Sequence, residues 1–227
     1  MYALKDPAAL VISPPPAEGV NALRTTPPRA RDRLYAIATF VLAVLLLPVA
    51  FGCRPGRARE LACRWALRLR YPSEHLAGLT PQARTAFDAA RAEAFWRHGQ
   101  LIGLTSGYRD PAAQQRLFDE EVHRSGSVAS ARTLVLPPSE SSHVRGLALD
   151  VRPHEGARWL EQHGGRYDLY RTYDNEWWHF EHRPETGGTP PRRLPHPGCT
   201  TEATPLVEHR ILSSYTNSQV VSCRVIQ

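Results

Sequence analysis

The sequence predicts an α+β domain preceded by a hydrophobic helix, and three observations carry that prediction. Helix-like and strand-like segments mix between residues 71 and 183 without the regular repeat that builds a parallel sheet. The strand candidates are short apolar runs broken by glycine or turn residues, while the helix candidates open on Thr-Pro and Asp-Pro pairs. Ahead of them, residues 34–53 run for twenty positions without a charged side chain.

Taken in chain order, residues 1–33 are proline-rich (SPPPAEG, TTPPRARDR) and lack periodicity, which predicts disorder. The apolar run LYAIATFVLAVLLLPVAFGC at 34–53 follows the basic stretch RARDR and is long enough to cross a bilayer. Its end, Ala-Phe-Gly-Cys, resembles a lipoprotein signal in which Cys53 would carry the lipid; an uncleaved anchor is the rival reading. Residues 54–70, RPGRARELACRWALRLR, read as a basic juxtamembrane linker. They make the far side of the run as basic as the near side, so charge does not orient it. Either way the chain is tethered to a membrane through 34–53, and the extracytoplasmic side is expected.

From residue 71 the chain reads as a folded domain ending near 183. Thr80-Pro81 supplies an N-cap and a first-turn proline, and Gly99 a stop. Between them Ala83, Phe87, Ala90, Ala94 and Phe95 mark an apolar helical stripe. LIGLTS at 101–106 is a short strand broken by Gly107. Asp110-Pro111 starts a second helix to about residue 124, with Leu117 and Val122 expected inward. Residues 125–142 read as a long loop, LALDV at 147–151 as a strand, and 155–162 as a short helix stopped by Gly164-Gly165. Asp174-Asn175 turns into a strand at 177–181. Residues 184–227 follow as a proline-rich linker and tail, with ILSSY and VVSCRVI as strand candidates.

Composition excludes one function class. The net charge of +6 suggests nucleic acid until its source is traced. Lys5 is the only lysine, the arginines are spread along the chain, and no stacking aromatics interleave with the basic run. No nucleic-acid partner is expected; attraction to an anionic surface is. The four cysteines, Cys53, Cys63, Cys199 and Cys223, form no Cys-x-x-Cys pair, which argues against a cysteine zinc knuckle. Cys199 and Cys223 are candidates for a disulfide if this part is exported.

The chemistry sits in two stretches. SSHVRGLALD brings His143 and Asp150, and EWWHFEH brings Glu176 and His179. Two imidazoles and one carboxylate suit a zinc ion whose fourth position stays open to water or substrate. Glu176 then becomes the carboxylate that takes a proton from water acidified by the metal. Strand geometry restricts the arrangement, because positions three apart on a regular strand face opposite sides. Glu176 must therefore lie on the turn and His179 on the strand. By the same parity, His143 belongs to the loop before Gly146 and Asp150 to its strand. Trp177 and Trp178 are expected to pack, one on each strand face. His75, His98, His123, His163, His196 and His209 are read as surface or core residues, and His154 and His182 as neighbours of the motifs.

Three motifs occur in order: SGYRD at 106–110, S-x-H-x-x-G-x-A-x-D at 141–150 and E-W-W-H at 176–179. They closely resemble those of the zinc D-alanyl-D-alanine carboxypeptidases of the VanY type, a family within the hedgehog/DD-peptidase group. The resemblance covers residues 104–181, about a third of the chain. It implies a small antiparallel sheet flanked by helices. It implies His143, Asp150 and His179 as zinc ligands, Glu176 as catalytic base, and Arg109 as a substrate-holding and charge-stabilising residue. Ser141 and Gln115 match residues near the substrate. The implied reaction is removal of the terminal D-Ala from peptidoglycan stem peptides by metal-activated water. The alternatives are an endopeptidase cutting elsewhere in the stem, or a non-catalytic cell-wall-binding metal domain. One departure is Tyr167-Asp168-Leu169, where relatives often carry a Phe-Gly-Phe-like stretch.

Overall fold

The computed structural model describes residues 30–199. The expectations placed on residues 1–29, on ILSSY and VVSCRVI, and on His209 and Cys223 lie outside these residues. The architecture is α+β, as expected, around an antiparallel sheet of order β1-β2-β4-β3. The strands are β1 (Gly103–Ser106), β2 (Ala148–Arg152), β3 (Leu169–Arg171) and β4 (His179–His182). Helix α1 (Ala30–Cys53) leads into α2 (Ala58–Arg70), followed by α3 (Pro81–His98), α4 (Pro111–Ser125), α5 (Val128–Ala131) and α6 (His154–His163).

The sheet has an apolar face and a chemical face. Strand side chains alternate between faces, so Leu149 and Val151 of β2 and Phe180 of β4 point into the core. There they meet Phe87, Ala90 and Ala94 of α3 and Ala157, Trp159 and Leu160 of α6. The intervening residues Asp150, His179 and Glu181 are carried on the other face. Asp150 and His179 are direct cross-strand partners, as are Ala148 and Glu181. Side chains at such positions stand within roughly 5 Å of each other.

Helix α3 forms as the sequence predicts. Thr80 accepts a hydrogen bond from the Ala83 amide, Gly99 closes the helix at φ 63°, and the five predicted stripe residues are buried. In α4 the inward face differs from the expectation. Gln114, Phe118 and Glu121 are buried, whereas Leu117 and Val122 are half-buried. Gln114 takes the inner face because the Leu136 carbonyl awaits its amide there, while Glu121 pairs outward with the exposed Arg124 of the same helix.

Further differences matter. The loop expected at 125–142 contains α5, and β3 is a strand the sequence reading missed. β4 starts at His179 rather than 177, because Trp177 and Trp178 lie in the turn. Trp177 packs against the core and meets both His154 and Trp178 edge-on, so the two rings do not straddle a strand. Residues 54–70, read as a linker, are largely helical, with Ala62, Cys63, Ala66 and Leu67 of α2 buried. The segment read as a linker after residue 184 also returns to the domain. Leu194 bridges Tyr173, and Asp174 and Asn175 donate to the carbonyls of Leu194 and Pro195. Cys199 is buried and disulfide-bonded.

Candidate metal centre

His143, Asp150 and His179 converge, with one potential ligand atom from each lying within 4.8 Å of the others. His143 arrives on the turn Ser142–Gly146, which Gly146 makes possible. Gly146 has φ +69°, and a Cβ there would clash with the Gly78 carbonyl oxygen. The Gly146 carbonyl in turn accepts the Thr80 amide at 3.0 Å, locking the turn to the start of α3. Asp150 lies on β2 and His179 at the first position of β4. The parity argument therefore holds for both pairs: Glu176 precedes the strand that carries His179, and His143 sits in the turn before β2.

Each imidazole is oriented by its outer nitrogen. His143 Nδ1 lies 2.6 Å from the Gly107 carbonyl oxygen, which can only accept, so Nδ1 carries the proton and Nε2 is free. That Nε2 faces Asp150 Oδ2 at 3.3 Å. His179 is reversed: Nε2 faces the Glu181 carboxylate at 3.2 Å, and Nδ1 faces Asp150 Oδ1 at 3.1 Å. Zinc bonds of about 2.0–2.1 Å in a tetrahedron place ligand atoms roughly 3.3 Å apart. The observed spacings of 3.1 and 3.3 Å, one to each Asp150 oxygen, are close to that edge, and the three groups offer ligand atoms within 4.8 Å of one another. The donor set, two neutral-capable imidazoles and a carboxylate with fixed tautomers, fits zinc.

The electrostatics are those of a site built for a cation. Burial alone would raise the Asp150 pKa, but the adjoining His143 and His179 hold it well below the usual carboxylate range. Burial would lower His179, yet Asp150 and Glu181 push it up to about 10. A proton on His179 thus takes the place a metal would fill. Glu181, buried, is held at about 2 by His179 and Arg183 against the cost of burial.

Glu176 is buried, and its carboxylate oxygen lies 3.8 Å from His179 Nδ1. Burial pushes it up to about 7; His179 and Arg109 oppose this, and Asp150 and Glu181 reinforce it. A carboxyl titrating near neutrality can both take and return a proton. Its backbone is held by Arg171, whose guanidinium donates to the carbonyls of Tyr173 (3.1 Å), Asp174 (2.8 Å) and Glu176 (3.3 Å).

Arg109 is half-buried and close enough that Asp150 and Glu176 both act on it electrostatically, while burial lowers its pKa. It donates to Gln114 Oε1 at 2.7 Å and to Ser106 Oγ at 3.0 Å. Ser141 is buried two residues ahead of His143. Gln115 does not join the site. Its side chain is exposed and bonds Asp119 one turn along α4, because Gln114 is the glutamine that faces inward. A cleft of about 630 Å³ lined by Thr80, Arg145, Leu147, Glu181, His182 and Arg183 reaches the site at Glu181.

Sequence reading missed Glu181, Arg171, Gln114 and Tyr173, whose ring lies 5.1 Å from that of His179. For Glu181 a signal existed, since it lies two residues beyond His179 on one strand and shares its face. Arg171 gave none, because its role depends on β3.

Residues 77–185 match the family described as D-alanyl-D-alanine carboxypeptidase VanY. A Bacillus subtilis (strain 168) protein named as a carboxypeptidase, YodJ, is 34% identical over 94 residues, 41% of this chain and 30% of that protein. The chain thus spans about a third of that relative's length. Among solved structures, VanYB in complex with D-alanine-D-alanine is 24% identical over 48% of this chain and 74% of that one, with a TM-score of 0.44. A VanY D,D-pentapeptidase from a VanB-type resistance cassette, in complex with Zn(II), is 26% identical over 48% and 76%, with a TM-score of 0.43. Every residue of the centre lies within the segment 77–185 that matches this family.

Proposed function

We propose that the chain is a zinc-dependent D-alanyl-D-alanine carboxypeptidase that removes the terminal D-Ala from peptidoglycan stem peptides. The observation that carries this reading is the convergence of His143, Asp150 and His179 beside the buried Glu176, within the family-matched segment. His143 Nε2, an Asp150 oxygen and His179 Nδ1 would hold the metal. Zinc bound there supplies a Lewis acid that brings the pKa of a bound water to about 7.

The chain's own residues do the rest. Glu176 takes a proton from the attacking water and returns it to the departing D-Ala amine, a role its buried place beside the ligand His179 suits. Arg109, braced by Gln114 and Ser106, keeps N–H donors for the substrate carboxylate or for negative charge developing at the scissile carbonyl. We assign Ser141, buried two residues ahead of His143, to the substrate's carboxy end. Residues 34–53 associate the chain with a membrane, and the peptidase segment works on the extracytoplasmic side.

The test is D-Ala release from UDP-MurNAc-pentapeptide by the full chain, with and without chelator, and by the Glu176→Ala variant. Chelator-sensitive D-Ala release that the variant lacks is the expected result. Absence of chelator-sensitive release from any stem peptide sinks the enzyme reading. Release of a dipeptide or larger fragment replaces it with an endopeptidase.

A further inference from the structure

Helix α1 contains a 22-residue stretch, Asp32–Cys53, whose most apolar 18 residues have a mean hydropathy of 2.5, and by length and composition it suffices to cross a membrane. Its packing argues against that orientation. Helix α2 runs back alongside it. Ala50 is buried with Ala58 and Ala62, and Ala43 with Cys63, Ala66 and Leu67. At the far end Arg70 lies over the Tyr35 ring, 5.0 Å from its centroid. Small residues at these contacts let the two backbones approach closely. The pair is tied in turn to α3: Phe40 stacks on Phe95 and meets Trp96 edge-on, and Trp96 donates to the Arg59 carbonyl at 2.8 Å.

Helix α2 thus accompanies α1 from about residue 50 back to residue 35, so α1 cannot cross a bilayer without taking α2 with it. Residues 54–70 carry six arginines against one glutamate. Charged side chains at membrane depth are costly unless they face a protein interior or a water-filled cavity. Arg59, Arg64 and Arg68 are exposed instead. What α1 leaves open is one continuous face. Leu34, Ile37, Val41, Val44, Leu45, Val49 and Phe51 are exposed, on the side of the helix opposite the buried Ala43 and Ala50.

We infer that α1 lies in the plane of an anionic bilayer, its outer face sunk among the acyl chains and the arginines of 54–70 at the headgroups. Helix α1 carries no charge between residues 34 and 53, so it is the packed α1–α2 pair, not α1 alone, that joins an apolar surface to a basic one. A second copy of the chain fits less well, because it brings no anionic partner for the exposed arginines of 54–70, which anionic headgroups supply. The inference also separates the two fates of Cys53. Cleavage ahead of that residue would strip α1 from α2 and α3 and uncover Cys63, Ala66, Leu67 and Phe95, so α1 stays attached.

This rests on the membrane association proposed above, and it is tested apart from activity. Spheroplasts expressing the full chain are treated with a membrane-impermeant maleimide, comparing native Cys53, an exposed thiol, with Arg33→Cys in a Cys53→Ser background. The inference predicts that both positions label from the same side of the membrane and that the chain keeps residues 30–53 by mass spectrometry. Labelling of one position only after permeabilisation, or a mature chain starting at Cys53, overturns it. In flotation with phosphatidylglycerol–phosphatidylethanolamine vesicles, Val41→Asp with Leu45→Asp should bind at least tenfold less, with D-Ala release in solution unchanged. Unchanged flotation, or a dimer that this pair dissolves without affecting vesicle binding, also overturns it. Loss of D-Ala release without loss of this labelling pattern would sink the enzymatic reading alone.

Discussion

Replacing Glu176 by glutamine should slow turnover sharply and stabilise the metal-free chain, and the size of the stabilisation follows from the structure. The carboxyl is buried, and burial raises its pKa from 4.5 to about 7. In the unfolded chain it ionises from about pH 4.5; in the folded chain it resists until about pH 7. Between those values the unfolded state binds fewer protons, so stability falls as pH rises, and the loss is complete above pH 7. At about 1.4 kcal/mol for each tenfold change in proton affinity, the cost is about 3 kcal/mol at pH 8 and about 1 kcal/mol at pH 5. Glutamine keeps the shape without the charge. The favourable interactions lost with the charge, the 3.8 Å contact to His179 and the field of Arg109, are already included in that pKa. Chemical denaturation of the full chain in detergent, with chelator present, measures this at the two pH values. The variant should be more stable than the parent by about 3 kcal/mol at pH 8, roughly 6–12 °C in melting temperature, with the gap shrinking at pH 5. Its rate of D-Ala release should fall by about 10² to 10⁴. A variant less stable at pH 8, or a difference that does not change with pH, refutes the reasoning that burial sets the character of Glu176.

Three further outcomes follow from the same geometry. His179 holds its proton up to about pH 10 in the metal-free site; zinc must displace it, so calorimetry at pH 8 in buffers of different ionisation enthalpy should show about one proton released per zinc bound. Glu181→Gln removes the carboxylate that fixes the His179 tautomer and should weaken zinc binding by about 10- to 100-fold, read by competition with a chromogenic chelator. Arg171→Ala frees the three carbonyls that hold the Glu176 turn; it should lower kcat by at least about tenfold with KM nearly unchanged, and a matched loss of zinc binding would show instead that the whole site had collapsed.

The centre was legible in the sequence because its residues are set by local rules. His143 and Gly146 share one turn, Asp150 sits on a strand of alternating apolar residues, and Glu176 and His179 straddle a turn-to-strand boundary. The period of two and the glycine break settle which residue of each pair belongs to which element. The residues around them were hidden for the opposite reason. Arg171 acts through β3, whose three residues carry no periodicity, and Glu181 acquires its meaning only when His179 turns its Nε2 toward it. Gln114 and Gln115 are adjacent, and only the helix phase, fixed by Asp110 and Phe118, decides which one meets Arg109. Helix α2 looked like a linker because its arginines mask the stripe Ala62, Cys63, Ala66 and Leu67. The core of α3 was the easiest to read, since propensity, capping and periodicity agree there.

The central claim is that one zinc held by His143, Asp150 and His179 is required for D-Ala release. It is tested most directly by titrating the metal-free full chain with zinc while following both bound metal and D-Ala release from a pentapeptide. Activity and occupancy should rise together and saturate at one zinc per chain, and His143→Ala should lose both. Full D-Ala release before any zinc is added, or release that persists in His143→Ala at undiminished rate, would contradict the account.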